Sequence, residues 1–423
     1  MPNTFALGLF AVILTTASLA PRMLADTTKG TGEPPQKTIA GQTAYALDPR
    51  LAEELRVRGG LPNFFAKLAA GGPVRIAYLG GSITAAKGWR PKSFAWFQSQ
   101  FPQAQLIEIN AAISGTGSDF GACRITTDVL VQHPDLVFME HRVNGGGGFE
   151  AKSVEGIIRQ IWKANPRTDI CLVYTLAQNM LPDLQAGRNT SFGTIMETIA
   201  NAYDIPSIDL GVEIARREQT GTLIFKSDKP VAEKLVFSQD GVHPGDEGHE
   251  VYQETITRSM LAIQPAGRPQ SHPLPPPLEA RCWESTSLIP VIRAELSAGW
   301  SPVNVTIDPI YQEDFSRTHG MLRGAVKCDR AGETITLHWQ GTTIGFSDIP
   351  QGGEMEVEVT MDGSPDPVVI HRVQTESIRR YARFFYLPEQ TPGEHTTVLR
   401  VKKVPEGLSY YAGQILVVEH PPR

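Results

Sequence analysis

The feature that most restricts this chain's fold is a series of short apolar runs along residues 74–210, separated by helix-patterned segments. Val74–Leu79, Leu106–Ile109, Leu136–Met139, Ile170–Tyr174 and Ile205–Leu210 are short and mostly apolar, as strands covered on both faces are. Between them, Phe94–Phe101, Ile125–Val131, Val154–Trp162 and Phe192–Ala202 read as helices, and a last helix runs from Glu247 to about Leu261. This alternation predicts a parallel sheet with helices on both faces. Upstream, Asp48-Pro49 reads as a helix start, followed by Leu51, Leu55 and a Gly59-Gly60 stop. A second short helix carries Phe64, Phe65 and Leu68.

The pattern then breaks. Six of the thirteen residues from Pro265 to Pro277 are proline, which excludes a helix and predicts a stiff extended linker. Beyond it come short alternating runs: Thr334–His338, Thr343–Phe346, Met355–Met361, Phe384–Leu387, Thr397–Val401 and Gln414–Val418. Turn pairs such as Asp362-Gly363 and Pro392-Gly393 separate them, and a β-sandwich of jelly-roll type is expected. Its aromatics Trp300, Trp339, Tyr381, Phe384, Phe385, Tyr410 and Tyr411 are expected mostly in the core, with carbohydrate binding the alternative.

At the other end, the apolar stretch from Phe5 to Ala20 is too short to span a bilayer and reads as a signal-peptide core, with cleavage points near Ala20 and Ala25. An uncleaved anchor is the alternative, since no Lys or Arg precedes the stretch. The expected organisation is a signal peptide (1–25), a polar tail (26–45), an α/β domain (46–264), a linker (265–278) and a sandwich (279–423), in a secreted or periplasmic protein. A net charge of −6 without a basic cluster argues against a nucleic-acid partner, and no membrane partner is expected beyond the export signal. None of the four cysteines stands at Cys-x-x-Cys spacing and no histidine–carboxylate spacing suggests a ligand set, so neither a metal nor another cofactor is expected. Cys282 and Cys328 could pair in an oxidising compartment, whereas Cys123 and Cys171 read as buried thiols.

The first strand runs directly into Gly80-Gly81-Ser82. Glycines at the carboxyl end of a strand permit a sharp turn that exposes the next side chain, where ligands of open α/β sheets bind. Ser82 there is a nucleophile, a helix N-cap after a glycine turn, or part of an anion-binding turn. Just before the last helix stands Asp240-Gly-Val-His243-Pro, a carboxylate and an imidazole close enough to act as orienter and base, or else a simple turn. Asn110-Ala-Ala-Ile-Ser-Gly115-Thr-Gly117 follows the second strand, and Glu140-His-Arg-Val-Asn144, opening into Gly145–Gly148, follows the third. His133, His141 and His249 compete poorly as bases: a surface turn, a strand partner facing away from Glu140, and a helix interior.

These four blocks, spanning roughly Val74 to Leu261, resemble those of the SGNH (GDSL-type) hydrolase superfamily. The resemblance implies a three-layer α/β/α, flavodoxin-like domain and a serine esterase. It implies Ser82 as nucleophile, His243 as base and Asp240 as its orienter. The Ser82 and Gly115 N–H groups and the Asn144 amide would be oxyanion donors. The chain departs from the usual pattern at Gly81, where the family has Asp, at Ala112, and at the four-glycine run, expected to be mobile. Trp89 could stack on a sugar or pack its own helix, and Arg90 or Arg142 could hold an anionic group. Export, linker and sandwich resemble the layout of carbohydrate-active esterases, so O-deacetylation of a glycan is the leading expectation. The alternatives are a lipase or thioesterase on acyl lipids, an acyltransferase, or a carbohydrate-binding protein without turnover.

Overall fold

The computed structural model describes residues 47–313, 315–349, 353–374 and 382–419. The expected signal segment and tail, and Tyr381, lie outside the described residues.

The α/β half opens with β1 (Leu55–Arg56), α1 (Pro62–Ala70), β2 (Gly72–Gly80), α2 (Ser82–Ala85), α3 (Trp89–Gln100) and β3 (Ala104–Ala112). It continues with α4 (Ser118–Asp128), β4 (Leu136–Met139), α5 (Glu150–Ala164), β5 (Asp169–Tyr174), α6 (Leu181–Gln185) and α7 (Ser191–Tyr203). It closes with β6 (Ser207–Asp209), α8 (Leu210–Gln219), β7 (Leu223–Lys226), β8 (Leu235–Ser238) and α9 (Asp246–Ile263). The main sheet has the order β1-β6-β5-β4-β2-β3, parallel except for β1. Without β1 this is the flavodoxin-like doubly wound order, whose ligand crevice opens between β2 and β4. Every residue of β4 and β5 is buried, as central strands with helices on both faces must be. In α5 the side chains of Val154, Ile157, Ile158 and Ile161, at helical spacing, form the face turned to the sheet.

One expected helix is absent. Residues 48–60 form a turn and β1, which pairs antiparallel with β6 through Leu55↔Ile208. The buried Arg56 explains the difference: its Nη2 donates to the Asp48 and Leu51 carbonyls, which a helix would have used internally.

The C-terminal half contains β9 (Thr286–Pro290), β10 (Glu295–Leu296), β11 (Ser301–Pro302), α10 (Ile310–Glu313), α11 (Phe315–Met321), β12 (Val326–Cys328), β13 (Thr334–Gly341) and β14 (Thr343–Ile349). β15 (Gly353–Met361), β16 (Val368–Gln374), β17 (Arg383–Tyr386), β18 (Gly393–Lys403) and β19 (Tyr410–Val418) complete it. Two antiparallel sheets result, β10-β13-β18-β15-β16 and β11-β12-β19-β14-β17, with β9 added against β19. This is the expected sandwich, with additional strands and two short helices.

The sandwich is fused to the α/β half through a shared core. All nine residues of β19 are buried, which a sheet with one wet face would not show. Ala412, Ile415 and Val417 point into the sandwich interior, while Tyr411, Leu416 and Val418 join a core that also contains Phe120, Ile157, Ile161 and Trp283. The proline-rich stretch is equally tied down. The His272 ring stacks on Trp162 at 4.6 Å and its Nε2 meets Asp169 Oδ1 at 2.8 Å. Arg159 donates to the Pro275 carbonyl at 2.6 Å, and the Leu278 and Glu279 amides donate to the Glu155 carboxylate. It is a strap along the α/β surface rather than a free spacer. All four cysteines are free, so the pairing left open for Cys282 and Cys328 is not formed: Cys328 is buried in the sandwich core, whereas Cys282 follows the strap near Glu279.

Candidate active site

Three strand ends meet at the crevice. β2 ends at Gly80, and the Ile113 amide beyond β3 donates to the Gly80 carbonyl at 3.0 Å. Beyond β4, Glu140 is fully buried and ties the ends together. Its Oε1 accepts from Thr175 Oγ1 at 2.6 Å, and its Oε2 from Thr84 Oγ1 at 2.8 Å and, weakly, from the Gly81 amide. Burial pushes this carboxyl up in pKa, against the pull of those donors. The Asn144 carboxamide lies over Gly81 so closely that any Cβ at 81 would collide with Oδ1. Glycine at 81 leaves the room that this amide occupies.

Ser82 begins α2, and His243 reaches it from the turn before α9. His243 Nε2 stands 2.8 Å from Ser82 Oγ, and Nδ1 stands 2.6 Å from Asp240 Oδ2. Asp240 Oδ1 accepts from the Val242 and His243 amides, both at 2.8 Å, and from Ser238 Oγ at 3.0 Å. Slight burial raises the Asp240 pKa, but these donors and the imidazole outweigh it and hold the carboxyl well below the ordinary range. The pair is open to solvent, with side-chain exposures of 50 % for His243 and 56 % for Asp240. Beside it runs a groove of about 1050 Å³ that includes Ser227, Lys229, Lys234 and Glu247.

Gly115 sits in the loop after β3 with φ 68°, a left-handed conformation that favours glycine. The four-glycine segment is tied rather than loose. The Gly145 carbonyl accepts from the Ser118 amide, and Glu150 Oε1 accepts from the Gly146 and Gly148 amides at 3.2 Å. Asp119 is buried beneath this segment, and burial raises its carboxyl to about pKa 6.

The three expected substrate contacts are corrected. Trp89 is fully buried, packed edge-on against Tyr78 and Phe138, and offers no face to a sugar. Arg90 is occupied by Glu108 and the Thr84 carbonyl. Arg142 is buried and paired with Asp209 at 2.5 and 2.7 Å, with a further bond to the Thr175 carbonyl. It braces the sheet edge, because Asp209 also caps α8 by accepting from the Gly211 amide. Of the other histidines, His249 accepts from the Trp89 amide and burial lowers its pKa to about 4, whereas His141 is buried against Gly121, away from Glu140. Sequence reasoning missed Glu140 as the tie among strand ends; a carboxylate directly after a fully apolar strand was its signal.

Residues 78–251 match the GDSL-like Lipase/Acylhydrolase family. The fold resembles that of a two-domain esterase active on acetylated mannans co-crystallized with mannopentaose, at 21 % identity and a TM-score of 0.71, covering 88 % of this chain and 98 % of that one. A second crystal structure of a two-domain esterase active on acetylated mannans gives 21 % identity and a TM-score of 0.68, over 86 % and 98 % of the two chains. No curated protein sequence matches the chain. Residues 78–251 thus form a GDSL-like hydrolase domain, and the chain is an SGNH-type carboxylic ester hydrolase that carries an additional β-sandwich.

Proposed function

We propose that this hydrolase is an exported O-acetyl esterase acting on an acetylated carbohydrate, with Ser82, His243 and Asp240 as its catalytic triad. The observation that carries the reading is the continuous chain of hydrogen bonds from Asp240 through His243 to Ser82 Oγ, at the rim of an open groove. His243 Nε2 removes the Ser82 proton as Oγ attacks the acetyl carbonyl, and Asp240 holds the ring and stabilises the imidazolium. The Ser82 and Gly115 N–H groups and the Asn144 amide receive the oxyanion. Collapse of this intermediate returns the proton to the departing sugar oxygen and leaves an acetyl-enzyme. Water, deprotonated by His243, then releases acetate.

A shallow, half-exposed triad suits an ester displayed on a long hydrated polymer better than an acyl chain that must be buried. The two-domain likeness to an esterase active on acetylated mannans makes acetylated mannan the first substrate to test. The apolar stretch from Phe5 to Ala20 supports export, which N-terminal sequencing of secreted material tests by the cleavage site. Activity is tested with wild type and Ser82→Ala on an aryl acetate, an aryl octanoate and acetylated mannan. Acetate release by wild type, abolished in Ser82→Ala, is expected. A preference for octanoate would transfer the reading to a lipase.

A further inference from the structure

The outer wall of the Gly115 loop comes from the C-terminal half of the chain. Arg317 on α11 donates from Nη1 to the Ser114 carbonyl at 3.0 Å and from Nε to the Ala382 carbonyl at 2.8 Å. Its guanidinium lies against Gly115, where any Cβ would collide with Nη1. Further along α11, Gly320 lets the helix rest on Ile113, whose Cδ1 would stand 2.5 Å from a Cβ at position 320. On its inner side the loop is held by the Ile113 bond to Gly80 and by Thr116 Oγ1 donating to the Ile113 carbonyl at 2.8 Å.

The Ser114 carbonyl and the Gly115 N–H belong to one peptide unit. Such a unit is planar and trans, so its C=O and N–H point in opposite directions. A cation fastened to the carbonyl on the outside therefore fixes where the N–H points on the inside. A charge-assisted bond to the oxygen also polarises the unit and strengthens the N–H as a donor. We infer that Arg317 is a positioning residue for the reaction, aiming and polarising the Gly115 N–H from the sandwich half of the chain. This rests on the function proposed above, in which that N–H receives the oxyanion. It also gives the sandwich a direct part in turnover.

Losing an oxyanion donor outright lowers rate on the order of 100–1,000-fold, so a misaimed one costs about 10- to 100-fold. The full-length chain is compared as wild type, Arg317→Ala and Arg317→Lys on an aryl acetate, with Ser82→Ala alongside. In Arg317→Ala, kcat is expected to fall by that factor with KM within about twofold, because the ground-state carbonyl gains little from the donor. Affinity for a trifluoromethyl ketone, which forms a tetrahedral oxyanion on the serine, is expected to fall in parallel. Arg317→Lys keeps a cation for Ser114 but lacks the second bond to Ala382, and should recover part of the rate. So should guanidinium ion added to Arg317→Ala. A lowered melting temperature with unchanged kcat and inhibitor affinity would mean a purely structural arginine and overturn the inference. If Arg317→Ala does not fold, the uncharged Arg317→Gln with wild-type kcat and no loss of inhibitor affinity overturns it equally. Acetate release that persists in Ser82→Ala would instead refute the nucleophile assignment, whatever Arg317 does.

Discussion

Replacing Trp283 by alanine tests whether the two halves of the chain are one cooperative body. Trp283 is 1 % exposed, at the point where the strap enters the sandwich, and belongs to the core shared with α4 and α5. Its ring packs on Phe149 at 4.7 Å and on Tyr386 at 5.3 Å. Its backbone is fastened to α5 by bonds to Lys152 O and from Gln160 Nε2. Truncating a buried tryptophan costs about 3–5 kcal/mol, and the α5 surface around Gly156, which needs glycine to pass the Trp283 backbone, leaves little room for collapse. The unfolding entropy of a body spanning Leu47–Arg423 is about 0.8 kcal/mol/K at the usual 2 cal/mol/K per residue, so about 4 kcal/mol lowers Tm by about 5 °C. The assay follows loss of esterase activity and far-UV ellipticity on the same heating ramp in both proteins. Coincident transitions shifted together are expected. Two separated transitions, with activity lost at the wild-type temperature, would refute the shared-core argument and make the sandwich a tethered module.

Two further outcomes follow from the site. Asn144→Ala removes the amide that lies over Gly81 and is expected to lower kcat about 100- to 1,000-fold with little change in Tm, measured on an aryl acetate; a stability loss without a rate loss would reduce Asn144 to a loop cap. Asp119, buried beneath the glycine segment with a carboxyl raised from 3.8 to about 6, favours the folded state fully below pH 3.8 and loses that contribution as pH rises through about 6. The loss is about 3 kcal/mol at neutral pH. Asp119→Asn is therefore expected to gain stability relative to wild type by up to that amount between pH 4 and 7 in urea unfolding. A pH-independent difference would show that the carboxyl is not desolvated.

What the chain's local chemistry determined was the doubly wound half and the order of its motif blocks. Buried parallel strands need unbroken apolar runs, and residues just beyond their carboxyl ends must face the crevice, so the placement of Ser82, Gly115 and Asn144 beyond the strand ends was legible. Asp240 and His243 were legible because three residues of one turn suffice to bring carboxylate and imidazole together. Local pattern failed where a polar residue's partner lies far along the chain. Arg142 looked available for substrate, yet its partner Asp209 stands 67 positions away, and Trp89 looked like a sugar platform until Tyr78 and Phe138 enclosed it. The proline-rich segment had the composition of a spacer, because nothing local reveals that Trp162 and Glu155 would hold it down. Tertiary structure alone decided that β19 is buried on both faces and that Arg317 stands behind Gly115, since each depends on surfaces brought together only when both halves fold. Short-range geometry thus set the groups at the strand ends, while long-range burial set what braces them.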